Sequence, residues 1–467
     1  MWLPLVFLCI QASIALPRFV TDYPKNSKSV HPDAKLAYFD NKVNHFDFNS
    51  KETFKQRYWY IDEHFDRSSG PAILFIQGEA PGDAYAERPV PLYLAKETKG
   101  IWFALEHRFY GTSQPCKDWS LESLKLLTHD QAMADIANFI VNKTKEMDNV
   151  KRKWLLVGGS YAGALVIWFK SRYPHLADVV YSSSGVVNVI EDFSDYMQQV
   201  TDSLREDSLC FKAVFDIVNH AVNLIRKDDP EDKKELKEAM KAGKLNDKDF
   251  LSYVTELYLG EVQYSNRIGV CTLLKKLPEE RDILKRIALY AELGRQLGCV
   301  PENYDLTLER NITINPRSSS RQWMYQVCSA YGWFATGKAT IPLRPKELDI
   351  PYFKDICKRI FDTDLYPNVD YTNGMLGDLR IPPLLKQIVM VNGKDDPWKW
   401  AGYFKNQVTN NDMLIRVIDC PDCSHCIDLY DSKPTDHRNL SDMREIIKKK
   451  IVGWMTAKTD GTPKISY

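Results

Sequence analysis

One serine set among small residues offers the first chemistry in this chain. In VGGSYAG, Val157 to Gly163, Ser160 directly follows the apolar run Trp154 to Val157 and precedes the helix-like stretch ALVIWFKSRYPH. A strand, a tight turn and a helix around a serine make a nucleophile elbow, where a crowded backbone lifts the hydroxyl clear of a sheet. Small neighbours let the chain bend. The usual spacing is Gly-x-Ser-x-Gly. Here Gly158 precedes the serine by two, but Ala162 follows by two and the second glycine is Gly163. An alanine methyl is tolerable there if position 162 keeps a negative φ.

A serine hydroxyl is a poor nucleophile at its own pKa. It needs a histidine to take its proton, and an acid to fix that histidine's tautomer. The segment VNGKDDPW supplies Asp395 and Asp396 after one apolar run, and CSHCIDL supplies His425 after the next. Both fall in predicted loops after strands, where a sheet presents its reactive groups. The order serine, aspartate, histidine is that of the α/β-hydrolases. An oxyanion hole would then use the backbone amide of Tyr161 and a second amide from Gly78-Glu79-Ala80, with Glu79 favoured.

The elements that must position these groups read as follows. Residues 33 to about 66 are β-rich, with KVNHFDF and FKQRYWYID alternating around turn residues. AILFIQ and IWFALEH are short continuous apolar runs, the pattern of buried strands, and DVVYSSSGVV reads as another. Residues 129 to 147 have helical spacing, with Ala132, Ile136, Ile140 and Val141 on one face. Strands alternating with helices predict a mostly parallel sheet. From 190 to 374 the periodicity is mainly helical and highly charged. The strand pattern then returns, and REIIKKKIVGWM reads as a closing helix. The expectation is a core in two parts, residues 33–189 and 375–457, separated by a helical insertion over 190–374. At 467 residues the chain exceeds the size at which one core stops growing.

Balanced charge, 62 basic and 62 acidic residues, gives no electrostatic case for nucleic acid or an anionic membrane. Residues 1–15 read as a signal peptide, apolar and ending in small residues, though without a basic leader. No later apolar run looks long enough to span a bilayer. Sequons at Asn142, Asn311 and Asn439 agree with export as candidate glycosylation sites. Nine cysteines follow Cys9, so at least one is unpaired within the chain, and an oxidising compartment would pair most of the others. CPDCSHC could be read as a zinc site. Export favours disulfides there instead, and His425 is needed as a base.

Six motifs extend this reading. HFDFNSKETFKQRYW, LEHRFYGTS, LLTHDQAMAD, GGSYAGALVIWF, NGKDDPW and SHCIDL run in order over nearly the whole chain beyond its leader. Together they resemble the prolylcarboxypeptidase, dipeptidyl peptidase II and thymus-specific serine protease family. GGSYxGxL and SHC lean toward the thymus-specific branch. The resemblance implies an α/β-hydrolase core with an inserted helical cap. It implies Ser160 as nucleophile, Asp396 rather than Asp395 as acid, and His425 as base. Trp398 would line a pocket for proline. The chain departs from the family at QVCSAYGWF, where Ala330 replaces an acid, and after Asp-Pro-Trp, where it has KWAGY.

These residues predict a secreted or lysosomal serine exopeptidase acting on short peptides through an acyl-enzyme, with proline preferred at the scissile bond. A secreted esterase or lipase, and an inactive hydrolase-fold binding protein, are the alternatives. No metal or organic cofactor is implied. The partners are peptide substrates, and a homodimer is one option for an oligomeric state left open.

Overall fold

In a computed structural model, described for residues 31–84, 89–256, 258–275, 283–296, 306–376, 385–404 and 407–457, one nine-stranded sheet organises the chain. The predicted signal peptide lies outside the described residues. The strands are β1 (Lys35–Lys42), β2 (Thr53–Ile61), β3 (Ala72–Ile76), β4 (Ile101–Leu105), β5 (Trp154–Gly159), β6 (Val179–Ser183), β7 (Ile190–Asp192), β8 (Gly332–Phe334), β9 (Ile388–Gly393), β10 (Val408–Thr409) and β11 (Met413–Ile418). The sheet order is β1-β2-β4-β3-β5-β6-β9-β11-β10. From β4 to β11 neighbouring strands are parallel, while β1, β2 and β10 pair antiparallel at the margins. This is the α/β-hydrolase architecture that the strand–helix alternation predicts.

The central strands are apolar without alternation because both faces are covered. In β3, Leu74 and Ile76 enter one core while Ile73 and Phe75 enter the other, as a period of two dictates. The first core includes Ile136 and Phe139 of helix His129–Glu146, and Leu165 and Phe169 of helix Ser160–Arg172. The second includes Leu94 of helix Pro89–Glu97, and Ile447 and Ile451 of helix Arg438–Thr456. Fully burying each such side chain stabilises the fold by roughly 1.5–3 kcal/mol.

Helices fill most of the described chain between Ser194 and Leu376, interrupted by β8, which pairs in parallel with β7 just ahead of this stretch. Disulfides join Cys210 to Cys271 and Cys328 to Cys357 within this segment.

Four details differ from the sequence expectation. KVNHFDF is strand only through Lys42, because Asn44 and Asp47 side chains accept the amides of Phe46 and Asn49 and turn the chain. DVVYSSSGVV is extended only over Val179–Ser183, and Ser184 turns into the left-handed region at φ 47°. Val141 lies outside the buried helical face, which runs through Met133, Ile136, Phe139 and Ile140. Helix Ser208–Lys227 is long and apolar enough to cross a membrane by composition alone. Its apolar residues, however, form a stripe through Val214, Ile217, Val218 and Ala221 that packs into the core, with Lys212 and Asp216 on the outer side.

Arg108 ties the margin of the sheet together. Its guanidinium, wholly buried, grips Asp135 through Nε and Nη2 at 2.6 and 2.7 Å and reaches the carbonyls of Lys42, Val43 and Leu126. His45 Nε2 meets the same carboxylate at 2.7 Å. Arg108→Met is expected to leave that carboxylate underpaired and lower unfolding free energy by about 3–5 kcal/mol. Urea denaturation followed by tryptophan fluorescence measures it, and a loss below about 1 kcal/mol contradicts this account.

Candidate active site

Strand β5 ends at Gly159 and a helix begins at Ser160 with no loop between. The serine carries the strain of that junction, with φ at 57°. Gly158 is required, since a Cβ there would lie 2.2 Å from the carbonyl oxygen of Ala162. Ala162 itself is not among the residues of positive φ and is buried without conflict. The second glycine matters one position later, because Gly163 packs against Gly185, where a Cβ would stand 3.0 Å from its Cα. The displaced glycine of the motif thus answers a packing demand from the turn after β6.

Asp396 and His425 meet above the same end of the sheet. His425 Nδ1 lies 3.0 Å from both carboxylate oxygens of Asp396. Asp396 is fully buried and also accepts the Trp398 amide at 2.9 Å, capping the short helix Pro397–Ala401. Asp395 points elsewhere. It accepts the Asp422 amide at 2.8 Å and lies 3.5 Å from Arg267 Nη2. Burial opposes protonation of His425, but the charge of Asp396 outweighs it and holds the imidazole pKa above its ordinary value. Nε2 makes no hydrogen bond and is buried.

Ser160 and His425 line one cavity, together with Phe75, Ile76, Glu79, Tyr264 and Leu429. Ser160 Oγ is thus not yet bonded to Nε2, an arrangement common before substrate binds. Glu79 lies in the same cavity, following β3 as the oxyanion reading requires. Its side chain is there as well, buried, with its carboxyl pushed up to about 7 by burial against the opposing pull of its own amide and of His425. Behind the elbow, the Tyr161 phenol meets His107 Nε2 at 3.2 Å, Gln326 Nε2 at 3.0 Å and the Tyr331 hydroxyl at 3.4 Å. These contacts fix the side chain of the residue that follows the elbow serine.

Trp398, expected to line a pocket for proline, is not among the residues lining this particular cavity. It is buried behind His425 at a ring separation of 6.3 Å and packs on Phe193, Tyr196 and Trp333. The apolar lining comes from Phe75 and Ile76 at the end of β3, from Leu429, and from Tyr264, which periodicity could not single out. The helical segment also holds the histidine loop directly, since Gln263 O accepts the His425 amide at 2.9 Å and Ser265 Oγ accepts the Ser424 amide at 3.1 Å. In CPDCSHC, Cys420 and Cys423 form a disulfide, while the free thiol of Cys426 sits 3.6 Å from Ser183 O and lines the cavity. Of the sequon asparagines, Asn311 is exposed in a loop, whereas Asn142 donates to Asn138 and Asn439 to the Asp419 carbonyl.

A buried aspartate, an oriented histidine and a strained serine at the carboxyl ends of a parallel sheet define a serine hydrolase of the α/β-hydrolase fold. Residues 41–447 match the family described as serine carboxypeptidase S28, and the chain belongs to that family of serine peptidases. It is 29% identical over 404 residues to "Probable serine protease EDA2" of Arabidopsis thaliana, covering 84% of this chain and 80% of that protein. To the thymus-specific serine protease of Mus musculus it is 27% identical over 478 residues, covering 92% of this chain and 91% of the other. To the lysosomal Pro-X carboxypeptidase of Homo sapiens it is 24% identical over 491 residues, covering 97% and 94%.

Asp396→Asn keeps the shape and the cap on Trp398 but removes the charge that selects the histidine tautomer. Peptidase kcat is expected to fall by roughly 10⁴, with near-ultraviolet circular dichroism unchanged. Asp395→Asn is the control, since Asp395 does not face the imidazole. A larger loss in that variant than in Asp396→Asn contradicts the assignment.

Proposed function

We propose that this protein is a serine exopeptidase of the secretory pathway that cleaves short peptides through an acyl-enzyme, with proline favoured at the scissile bond. The observation that carries the reading is the free, buried Nε2 of His425 in the cavity that holds Ser160, with Nδ1 held by Asp396. Ser160 Oγ attacks the scissile carbonyl carbon as its proton passes to Nε2. The oxyanion rests on the amides of Tyr161 and Glu79. Collapse breaks the C–N bond, and the proton on Nε2 goes to the leaving amine. Water then repeats the sequence on the ester and releases the acid.

An apolar lining of Phe75, Ile76, Tyr264 and Leu429 suits a compact pyrrolidine ring. The printed name of the Pro-X carboxypeptidase relative supports the same preference. The helical segment reaches to the cavity through Tyr264, which favours a chain end over a folded loop. Three disulfides among the described residues support an oxidising compartment, and the exposed Asn311 is the best placed of the sequon asparagines for a glycan.

Two experiments test this. A fluorophosphonate probe is expected to label the wild type and not Ser160→Ala, and Ser160→Ala is expected to lose roughly 10⁶ in kcat on peptides. A library varying the residue on the acyl side is expected to give the highest kcat/KM with proline. Equal turnover with alanine removes the proline preference, and turnover of short acyl esters alone replaces peptidase with esterase.

A further inference from the structure

Tyr264, Ser265 and Asn266 join helix Leu259–Gln263 to helix Arg267–Leu274. A linker this short needs only to turn the chain. Ser265 does so in the left-handed region, with φ at 60°. Glycine or asparagine takes that conformation with less strain, so a serine kept there points to a use for its side chain. That use lies 159 residues away, where Ser265 Oγ accepts the Ser424 amide at 3.1 Å. The next amide along, that of His425, donates to Gln263 O at 2.9 Å. A bond also runs the other way, from the Arg267 amide to Asp422 Oδ1 at 3.0 Å. Between the two acceptors, Tyr264 lines the cavity and sets its ring nearly perpendicular to the imidazole, at 81° and 6.1 Å.

We infer that Ser265 is a positioning residue for the reaction, acting through the backbone of Ser424 and His425 to hold the imidazole in reach of Ser160. This rests on His425 as the base of the reading above, not on a peptide substrate. Asp396 holds the ring at Nδ1, and Nε2 makes no hydrogen bond. A ring held at one edge can still swing its far nitrogen as the backbone moves. The backbone must therefore be fixed on both sides of the histidine. On the far side the sheet does this, since Cys426 N donates to Ser184 Oγ at 2.9 Å. On the near side the grip comes from Ser265 and, at His425 itself, from Gln263 O. The imidazole is joined to its Cα through a single methylene, so a backbone shift passes almost directly to Nε2. The helical segment thus contributes to the rate of the chemical step as well as to the walls of the cavity.

The rate of fluorophosphonate labelling tests this without a peptide, because the probe needs only Ser160 and its base. Ser265→Gly removes the hydroxyl and keeps a backbone suited to the left-handed region. Its melting temperature is expected to stay within about 3 °C of the wild type, relief of strain offsetting the freedom glycine adds to the unfolded chain. Its labelling rate, and its kcat on any peptide the wild type cleaves, are expected to fall together by about ten- to a hundred-fold, with KM within about three-fold. Ser265→Asn tolerates the same backbone and keeps an acceptor oxygen, so it is expected to lose less than the glycine variant. Labelling of Ser265→Gly within about two-fold of the wild type overturns the inference. So does a loss carried by KM, or one matched by a fall in melting temperature, since either marks a merely structural role. Hydrogen exchange of the wild type needs no variant. The Ser424 and His425 amides are expected to exchange at least about a hundred-fold more slowly than in an open chain, and unprotected amides overturn the inference as well. Wild type that is labelled yet cleaves no peptide removes the peptidase reading, and the labelling rates still decide the role of Ser265.

Discussion

A carboxylate with no exposed surface governs this site. Asp396 sits where water cannot solvate it, and a bare charge in such a place is costly. Two groups satisfy it, the Trp398 amide and the imidazole of His425. The pairing works in both directions. The carboxylate orients the ring, and the ring makes the carboxylate tolerable. Everything that holds the two loops in register is therefore also electrostatic support. Cys426 N donates to Ser184 Oγ at 2.9 Å, and Tyr181 and Ser183 both donate to Asp428. Arg444 from the last helix reaches the Ile427 carbonyl at 2.6 Å. Anchors on the residues that follow the histidine come from β6 and the turn after it and from the closing helix, parts of the chain far apart in sequence.

The elbow obeys a steric constraint of the same severity. Ser160 keeps a left-handed backbone because β5, the following helix and the turn at Gly185 leave it no other path. Gly158 lies against Ala162, and Gly163 lies against Gly185. A strained non-glycine residue persists only where its surroundings over-determine it. Here fully buried strands on either side of β5 supply that rigidity. Sheet and site are thus one mechanical unit.

Much of this was legible in the sequence, for a specific reason. Strands covered on both faces read as unbroken apolar runs, so AILFI, IWFAL and IVMV could be recognised without partners. The turn after β5 could be read because its glycines are sterically forced. The choice of Asp396 over Asp395 could not be made from residue type, since the two adjacent carboxylates differ only in which way the chain directs them. One meets His425 and the other meets Arg267 and the Asp422 amide. Trp398 was readable as important but not as to where it points. Its ring packs on Phe193, Tyr196 and Trp333, two of them at the start of the helical segment, as well as beside His425. The contacts of Gln263, Tyr264 and Ser265 carry no local signal at all. A residue between two short helices has the same periodicity whether it faces solvent or a distant histidine.

Those three residues change how the helical segment should be understood. A cover would need only to exclude water. This segment instead hydrogen-bonds the backbone of Ser424 and His425 and places a tyrosine ring 6.1 Å from the imidazole. It also supplies Arg267, whose own amide is accepted by Asp422 and whose guanidinium approaches Asp395. The loop carrying the proposed base is therefore held between sheet and helices. Displacing the helical segment would both open the cavity and loosen the imidazole. Because a misplacement of about 1 Å can remove two orders of magnitude in rate, access and reactivity cannot vary independently in this architecture.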